Sequence, residues 1–317
     1  MTSRLLAGAV FFAVAGVLLT VPAHAASNTT YSFLRDDVSA RAAALAGSFV
    51  SVTNDPNMLF YNVAGLGTLD VPRGSVGFFK HLLDINSGYV SYSQKIEGIG
   101  HVGAGITYTN YGSFTETDAA GNDLGSFGAS DLSFAVGYAN ELEQNLTYGA
   151  SVKVIYSAIA GVSSTALAAD AGILYVIPES RITLGASIRN LGTQLSPYLS
   201  TRENLPLDVT IGGSIVPRGL PLLLNVNLHR LNDDVSTFID RFKNFSIGGE
   251  FTLSKVVQLR FGYDNARRKD LKLGTSSGMA GFSAGLGINT GDYRIDYAIS
   301  SLGKVGNFHR ISIGSTF

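Results

Sequence analysis

The sequence predicts an all-β fold, an antiparallel transmembrane β-barrel of about fourteen strands with a short N-terminal plug-like segment. Three observations predict it. Apolar residues alternate with small or polar ones in period two almost to the end of the chain. Tight and long connections alternate between those stretches, as they do when successive hairpins face opposite sides of a membrane. After the first segment, no apolar run reaches the length of a membrane helix.

Composition narrows the function classes. The 317 residues include 37 Gly, no Cys and no Trp, and only 15% are charged, with 23 Lys and Arg against 24 Asp and Glu. Without basic excess, binding to nucleic acid through its phosphates is not expected. Without cysteine there is no disulfide scaffold, zinc-thiolate site or Cys nucleophile. A low-charge, glycine-rich chain need not face water on every side.

Residues 1–25 read as a cleaved signal peptide: Arg4 supplies the positive region, Leu5 to Val21 the apolar run, and Ala23-His24-Ala25 the cleavage pattern. Residues 26–70 are a plug or lead-in segment. The Ala-rich stretch around Arg41 and Leu45, then Asn54-Asp55-Pro56 and Phe60-Tyr61-Asn62, fits a short helix and turn sealing one mouth, or equally a first strand with an irregular lead-in.

Residues 71–317 form the barrel, with strands expected near 73–80, 86–96, 99–110, 126–140, 144–157, 165–177, 180–191, 206–216, 219–230, 242–253, 256–264, 280–289, 291–300 and 308–317. In one of them Leu132, Phe134, Val136 and Tyr138 share a face and Ser133, Ala135, Gly137 and Ala139 the other. This register puts Lys153, Arg181, Arg189, Arg260, Asp264, Arg294 and Asp296 on the lumen side, where charges must pair or meet water. The last strand ends in alternation on a terminal aromatic, with Ile311, Ile313 and Phe317 as the barrel-assembly signal.

Catalytic motifs fail on context. Gly98 to Gly103 fits G-x-G-x-x-G but runs into a strand, with no helix to hold a pyrophosphate. Gly281-Phe282-Ser283-Ala284-Gly285 fits G-x-S-x-G but sits inside a strand rather than at an elbow. The histidines stand singly, so no enzyme, cofactor or metal site is expected.

Several segments in order resemble one family. They are Ser39 to Gly47, Tyr108 to Phe114 with Gly125-Ser126-Phe127, Arg189 to Leu195, Gly248-Gly249-Glu250-Phe251, Arg260-Phe261-Gly262-Tyr263, Arg267 to Leu273 and Gly281-Phe282-Ser283. Together they look like the PorV/PorQ family of type IX secretion components, whose barrels resemble the FadL fold. Where that family often shows Asn-Pro-Ala, this chain has Asn62-Val63-Ala64. The resemblance implies an outer-membrane barrel that docks a PorZ-like surface protein and other secretion components for cargo export and attachment.

The expected docking residues lie on the long connections: Phe114, Asp118 and Asp123; Gln194, Tyr198 and Arg202; and the basic run Arg267, Arg268 and Lys269, which also suits anionic lipopolysaccharide. Arg41, Asn54, Asp55 and Asn62 are the expected plug residues. The alternative function is a FadL-like outer-membrane channel for hydrophobic small molecules.

Overall fold

The structure is a computed structural model that describes residues 29–235, 237–272 and 278–317. The expected signal peptide lies outside the described residues, as does Leu273.

Among the described residues, fourteen strands form one closed antiparallel barrel in which each strand pairs with its sequence neighbours. They are β1 (Arg73–Lys80), β2 (Asn86–Ile96), β3 (Gly100–Thr117), β4 (Asp123–Glu143), β5 (Leu146–Ile159), β6 (Val162–Ile177), β7 (Ile182–Ser196), β8 (Asp208–Ile215), β9 (Leu222–Leu228), β10 (Phe245–Thr252), β11 (Val257–Asp264), β12 (Phe282–Thr290), β13 (Tyr293–Ser301) and β14 (Asn307–Thr316). β1 pairs with β14 from Arg73↔Thr316 to Lys80↔His309, so no edge is left to be satisfied in lipid.

The alternation sorts the two faces as expected. Val136 is 48% exposed on the outer wall while its neighbour Ala135 is 1% exposed towards the lumen. Phe78, Ile106, Phe134, Val152, Phe261, Ile311 and Ile313 continue the exposed apolar outer surface, which suits hydrocarbon rather than water. Phe317 is exposed at the end of the last strand, its ring 5.9 Å from that of Tyr92.

The wall is tall on one side. β4 spans 21 residues and β3 18, whereas β9 spans 7. The connection expected from Tyr111 to Gly125 is therefore mostly strand, and only the tip around Asp118 turns. Its Tyr111, Phe114, Thr115 and Thr117 are good strand formers, and Phe114 stacks on Phe127 at 5.4 Å across the hairpin. β7 likewise continues to Ser196, past the expected end near 191. One expected lumen residue is misplaced: Arg181 is exposed in the tight turn after β6, with φ 54°, so it never enters the alternation.

Thr29 to Asp70 lie inside the barrel as a plug rather than in the sheet, and one isolated bridge, Thr29↔Asn204, ties their start to the connection between β7 and β8. The plug carries one short helix, α1 (Ala40–Ala44), and 3-10 turns at Ser32–Arg35, Pro56–Phe60 and Val63–Thr68. Ser39 caps α1 by accepting from the Ala42 N–H at 3.2 Å, and left-handed Ala46 and Gly47 end it. The core of the molecule is the seam between plug and wall, where Phe49, Leu45, Met58, Leu59 and Leu66 pack towards Phe79, Tyr89, Ala135 and Leu174. No helix among the described residues is long and apolar enough to cross a membrane.

Candidate functional site

The plug enters from the long-loop end of the barrel and leaves at the tight-turn end, so the lumen is the candidate site. Glycines make the seal close. On the lumen face they stand opposite the plug in β3 (Gly103, Gly105), β4 (Gly137), β5 (Gly149), β6 (Gly172), β7 (Gly185), β8 (Gly212), β10 (Gly248), β11 (Gly262) and β12 (Gly285). A Cβ at any of them would meet a plug atom closer than 3.0 Å. The high glycine content thus has a packing cause, since the wall must be nearly flat where the plug backbone meets it.

Two polar locks hold the register of that seam. Asn62 caps the turn at Val63–Thr68 by accepting from the Ala64 N–H at 3.2 Å, and its Nδ2 donates to the Val50 carbonyl at 2.9 Å and the Ile173 carbonyl of β6 at 3.0 Å. The second lock is charged. Arg41 donates to Glu250 of β10 through Nε at 2.8 Å and Nη2 at 2.7 Å, and to Asp55 through Nη1 at 3.1 Å. Arg260 of β11 donates to the same Glu250 carboxylate at 2.6 Å and pairs with Asp296 at 2.9 Å, while Arg294 bridges Glu250 and Asp296. Three guanidiniums and three carboxylates are therefore interlocked where α1 meets the wall. Asn54 completes the tight-turn end, donating to Asp70 at 3.1 Å.

At the long-loop end the first described residues are strapped down. The Tyr31 hydroxyl lies 2.5 Å from Ser164 Oγ, Thr30 N–H donates to the Asn204 carbonyl at 3.2 Å, and Gln194 reaches both Ser164 and the Glu203 N–H. Three expected docking residues are consequently internal. Gln194 is buried because lumen-facing alternation persists to the end of β7; Tyr198 folds inward to donate to Ser157; and Arg267 pairs with Asp37 of the plug at 2.9 Å. Arg268 is half-buried and Lys269 exposed at the end of α2 (Asn265–Asp270), while Phe114, Asp118, Asp123 and Arg202 are exposed. Asp118 is held below the usual carboxylate range by donation from the Asn122 side chain and N–H, which makes the hairpin tip a self-satisfied turn.

Cavities flank the plug among the described residues. One of about 470 Å³ lies towards the long-loop end, lined by Arg35, Arg189, His229 and Arg230 among others. One of about 510 Å³ lies at the tight-turn end beside Asp55, Arg73, Lys255 and Arg294. A third, of about 30 Å³, is more apolar and sits between the plug and β1 to β3, against Phe33, Leu34, Val38, Phe60 and Phe79. Ser283, from the G-x-S-x-G match, donates to Ser300 Oγ across the strand pair at 3.1 Å, with no elbow to raise it.

No protein-family model and no curated protein matches the chain. Solved structures do. The Ralstonia pickettii toluene transporter TbuX aligns over 88% of this chain and 98% of its own, with a TM-score of 0.62 at 13% identity. The Pseudomonas putida toluene transporter TodX aligns over 89% and 98%, with a TM-score of 0.61 at 15% identity. A Pseudomonas aeruginosa FadL homologue aligns over 88% and 98%, with a TM-score of 0.55 at 11% identity. The fold is that of the FadL-type outer-membrane barrels. The PorV/PorQ resemblance has no counterpart among these matches and stands on the sequence segments alone.

Sequence reasoning placed Arg41, Asp55 and Asn62 in the plug but missed Glu250, their partner across the seam. The signal was available in outline: Glu250 is the charged member of the lumen-facing positions Ser246, Gly248 and Glu250, and pairs in register with Arg260.

Proposed function

We propose that the protein is an integral outer-membrane transport barrel for small hydrophobic molecules, with its tight turns in the periplasm and its long loops among lipopolysaccharide outside. The observation that carries this reading is the plugged fourteen-stranded barrel, aligned over nearly its whole length with two toluene transporters. The apolar pocket beside Phe33, Phe60 and Phe79 supplies a first contact for such a solute at the plug margin. At about 30 Å³ it is too small for an aromatic ring, which needs of the order of 150 Å³. Transport in this reading therefore requires the plug to shift. In cells whose lipopolysaccharide barrier excludes hydrophobic solutes and whose own channels are deleted, expression of the protein is expected to speed toluene uptake severalfold. Uptake equal to that of empty-vector cells would overturn the reading.

A second reading, docking of a PorZ-like surface protein within a type IX secretion system, is favoured by the tall β3–β4 hairpin, which lifts exposed Phe114 and Leu124 above the rest of the wall. The test must spare Arg267, which braces Asp37. Replacing Phe114, Arg268 and Lys269 by Ser is expected to reduce recovery of a surface partner from detergent-solubilised membranes while the barrel still folds; unchanged recovery removes those residues from the interface.

A further inference from the structure

The two sides of the plug seam differ in chemistry. Towards β1 to β6 the plug presents Met58, Leu59 and Leu66, which pack towards Phe79, Tyr89, Ala135 and Leu174. Towards β8 to β11 the wall is polar: lumen-facing Ser214 of β8 stands in register with Asn225 of β9, and Asn227 of β9 with Ser246 of β10. The plug segment that runs past them is tied by its backbone. Asn227 Nδ2 donates to the Gly47 carbonyl and Ser214 Oγ to the Ser51 carbonyl, both at 3.2 Å.

Other polar atoms on this side have no hydrogen-bond partner among the described residues. Ser48 Oγ and Ser51 Oγ on the plug, Asn227 Oδ1, Ser246 Oγ and Gln258 Oε1 on the wall, and both amide atoms of Asn225 are buried and unpaired. Asn225 is 0% exposed. These residues lie in a track from one cavity to the other. Asn227 and Ser246 line the cavity at the long-loop end. Asn225 is one lumen position nearer the tight turns on β9, level with Ser214 and so with the plug at Ser51. Beyond it Arg260 Nη2 is a further buried donor without a partner, and Gln258 shares a register row with Gly287 and Asp296, the last of which lines the cavity at the tight-turn end. Buried donors and acceptors that no protein group satisfies are satisfied by ordered water.

We propose that this seam holds a file of water joining the two cavities, so that the plugged barrel conducts water across the membrane without moving its plug. Each water donates to and accepts from the hydroxyls and amides along the track and passes to the next. The middle of the track, at Ser48, Ser51 and Asn225, is neutral and offers an ion too few ligands to replace its hydration shell, so the file carries water while ions stay out. This activity goes beyond hydrophobic transport, which needs the plug to shift, and its test contains no hydrophobic solute.

The test is stopped-flow light scattering of phosphatidylcholine proteoliposomes containing the full-length mature protein, shrunk by an outward osmotic step of sucrose. Wild-type vesicles are expected to shrink severalfold faster than protein-free ones. Asn225→Leu, which keeps the side-chain volume and removes both polar atoms, is expected to return the rate towards the protein-free value, and Asn225→Ser, which keeps a hydroxyl, to preserve most of the flux. Gln258→Leu repeats the test nearer the tight turns should Asn225→Leu lose the heat-modifiable mobility of a folded barrel. Ser93→Ala is the control, since it removes an equally buried unpaired hydroxyl from β2, on the apolar side of the plug. Wild-type shrinkage at the protein-free rate, full flux in both leucine variants, or a loss in Ser93→Ala as large as theirs would each overturn the proposal.

Discussion

Valine at both Gly149 and Gly262 is expected to unseat the plug while leaving the barrel standing. At Gly262 the new Cβ would lie 2.4 Å from the Ala46 nitrogen and 2.5 Å from the Leu45 carbonyl carbon; at Gly149 it would lie 2.6 Å from both the Ala64 nitrogen and the Val63 carbonyl carbon. These are backbone atoms, so no rotamer change relieves the clash. Overpacking costs about 1–3 kcal/mol per site, and here the cost falls on the plug seam rather than on the sheet, because valine suits a strand interior. The two sites grip the plug on opposite walls, so moving away from one drives it into the other. Planar-bilayer recordings should show a large, persistent conductance in the double variant and closed behaviour in the wild type, with heat-modifiable mobility retained in both. Gly249→Val is the control: its Cβ would point outward with nothing nearer than Leu222 and Leu224 side-chain atoms at 3.7 Å. A silent double variant would mean that the plug can yield without opening a path.

The same glycines show how far the sequence could be read. Period-two alternation made the strands legible because the two faces of a barrel wall meet different media, and that contrast is written at every second residue. Glycine at a lumen position is consistent with empty lumen, water or a close neighbour, so alternation alone could not show that Gly149 and Gly262 face backbone. Long connections posed a similar problem. Gln194, Tyr198 and Arg267 are polar and lie in or beside predicted loops, which is equally true of Arg202 and Lys269, yet the first three turn inward and the last two do not. What separates them is the chain that occupies the lumen: Tyr31 meets Gln194 and Asp37 meets Arg267, at sequence separations no local pattern encodes.

The segments that carried the family resemblance behave differently, since three of them meet in space. Ser39 to Gly47 forms α1 and its stop; Gly248-Gly249-Glu250-Phe251 lies in β10; Arg260-Phe261-Gly262-Tyr263 lies in β11. Leu45 seats against Gly248, Ala46 against Gly262, and Arg41 reaches Glu250 beside Arg260. In this chain what those segments share is one plug latch, with no part in the exposed loops. The resemblance therefore bears most directly on how the lumen is closed and says less about what docks outside.

That latch supplies the other large effect. Glu250→Gln is expected to destabilise the plugged state more than Arg41→Met, because the carboxylate serves several partners and the plug arginine is only one of them. Without Arg41, Glu250 still accepts from Arg260 at 2.6 Å and Arg294 at 3.4 Å, so its charge stays compensated. Without the Glu250 charge, Arg41, Arg260 and Arg294 share only Asp55 and Asp296, and Arg260 is wholly buried. Removing one member of a buried ionic set costs about 3–5 kcal/mol when it strands an uncompensated charge. The ordering Glu250→Gln worse than Arg41→Met should appear in heat-modifiability midpoints and in the frequency of channel openings. The double variant should recover part of the loss of Glu250→Gln, since deleting Arg41 removes one of the stranded cations. Equal damage from the two single variants, or strict additivity in the double, would mean that α1 is held by its glycine seat alone and that the ion pairs brace the strands rather than the plug.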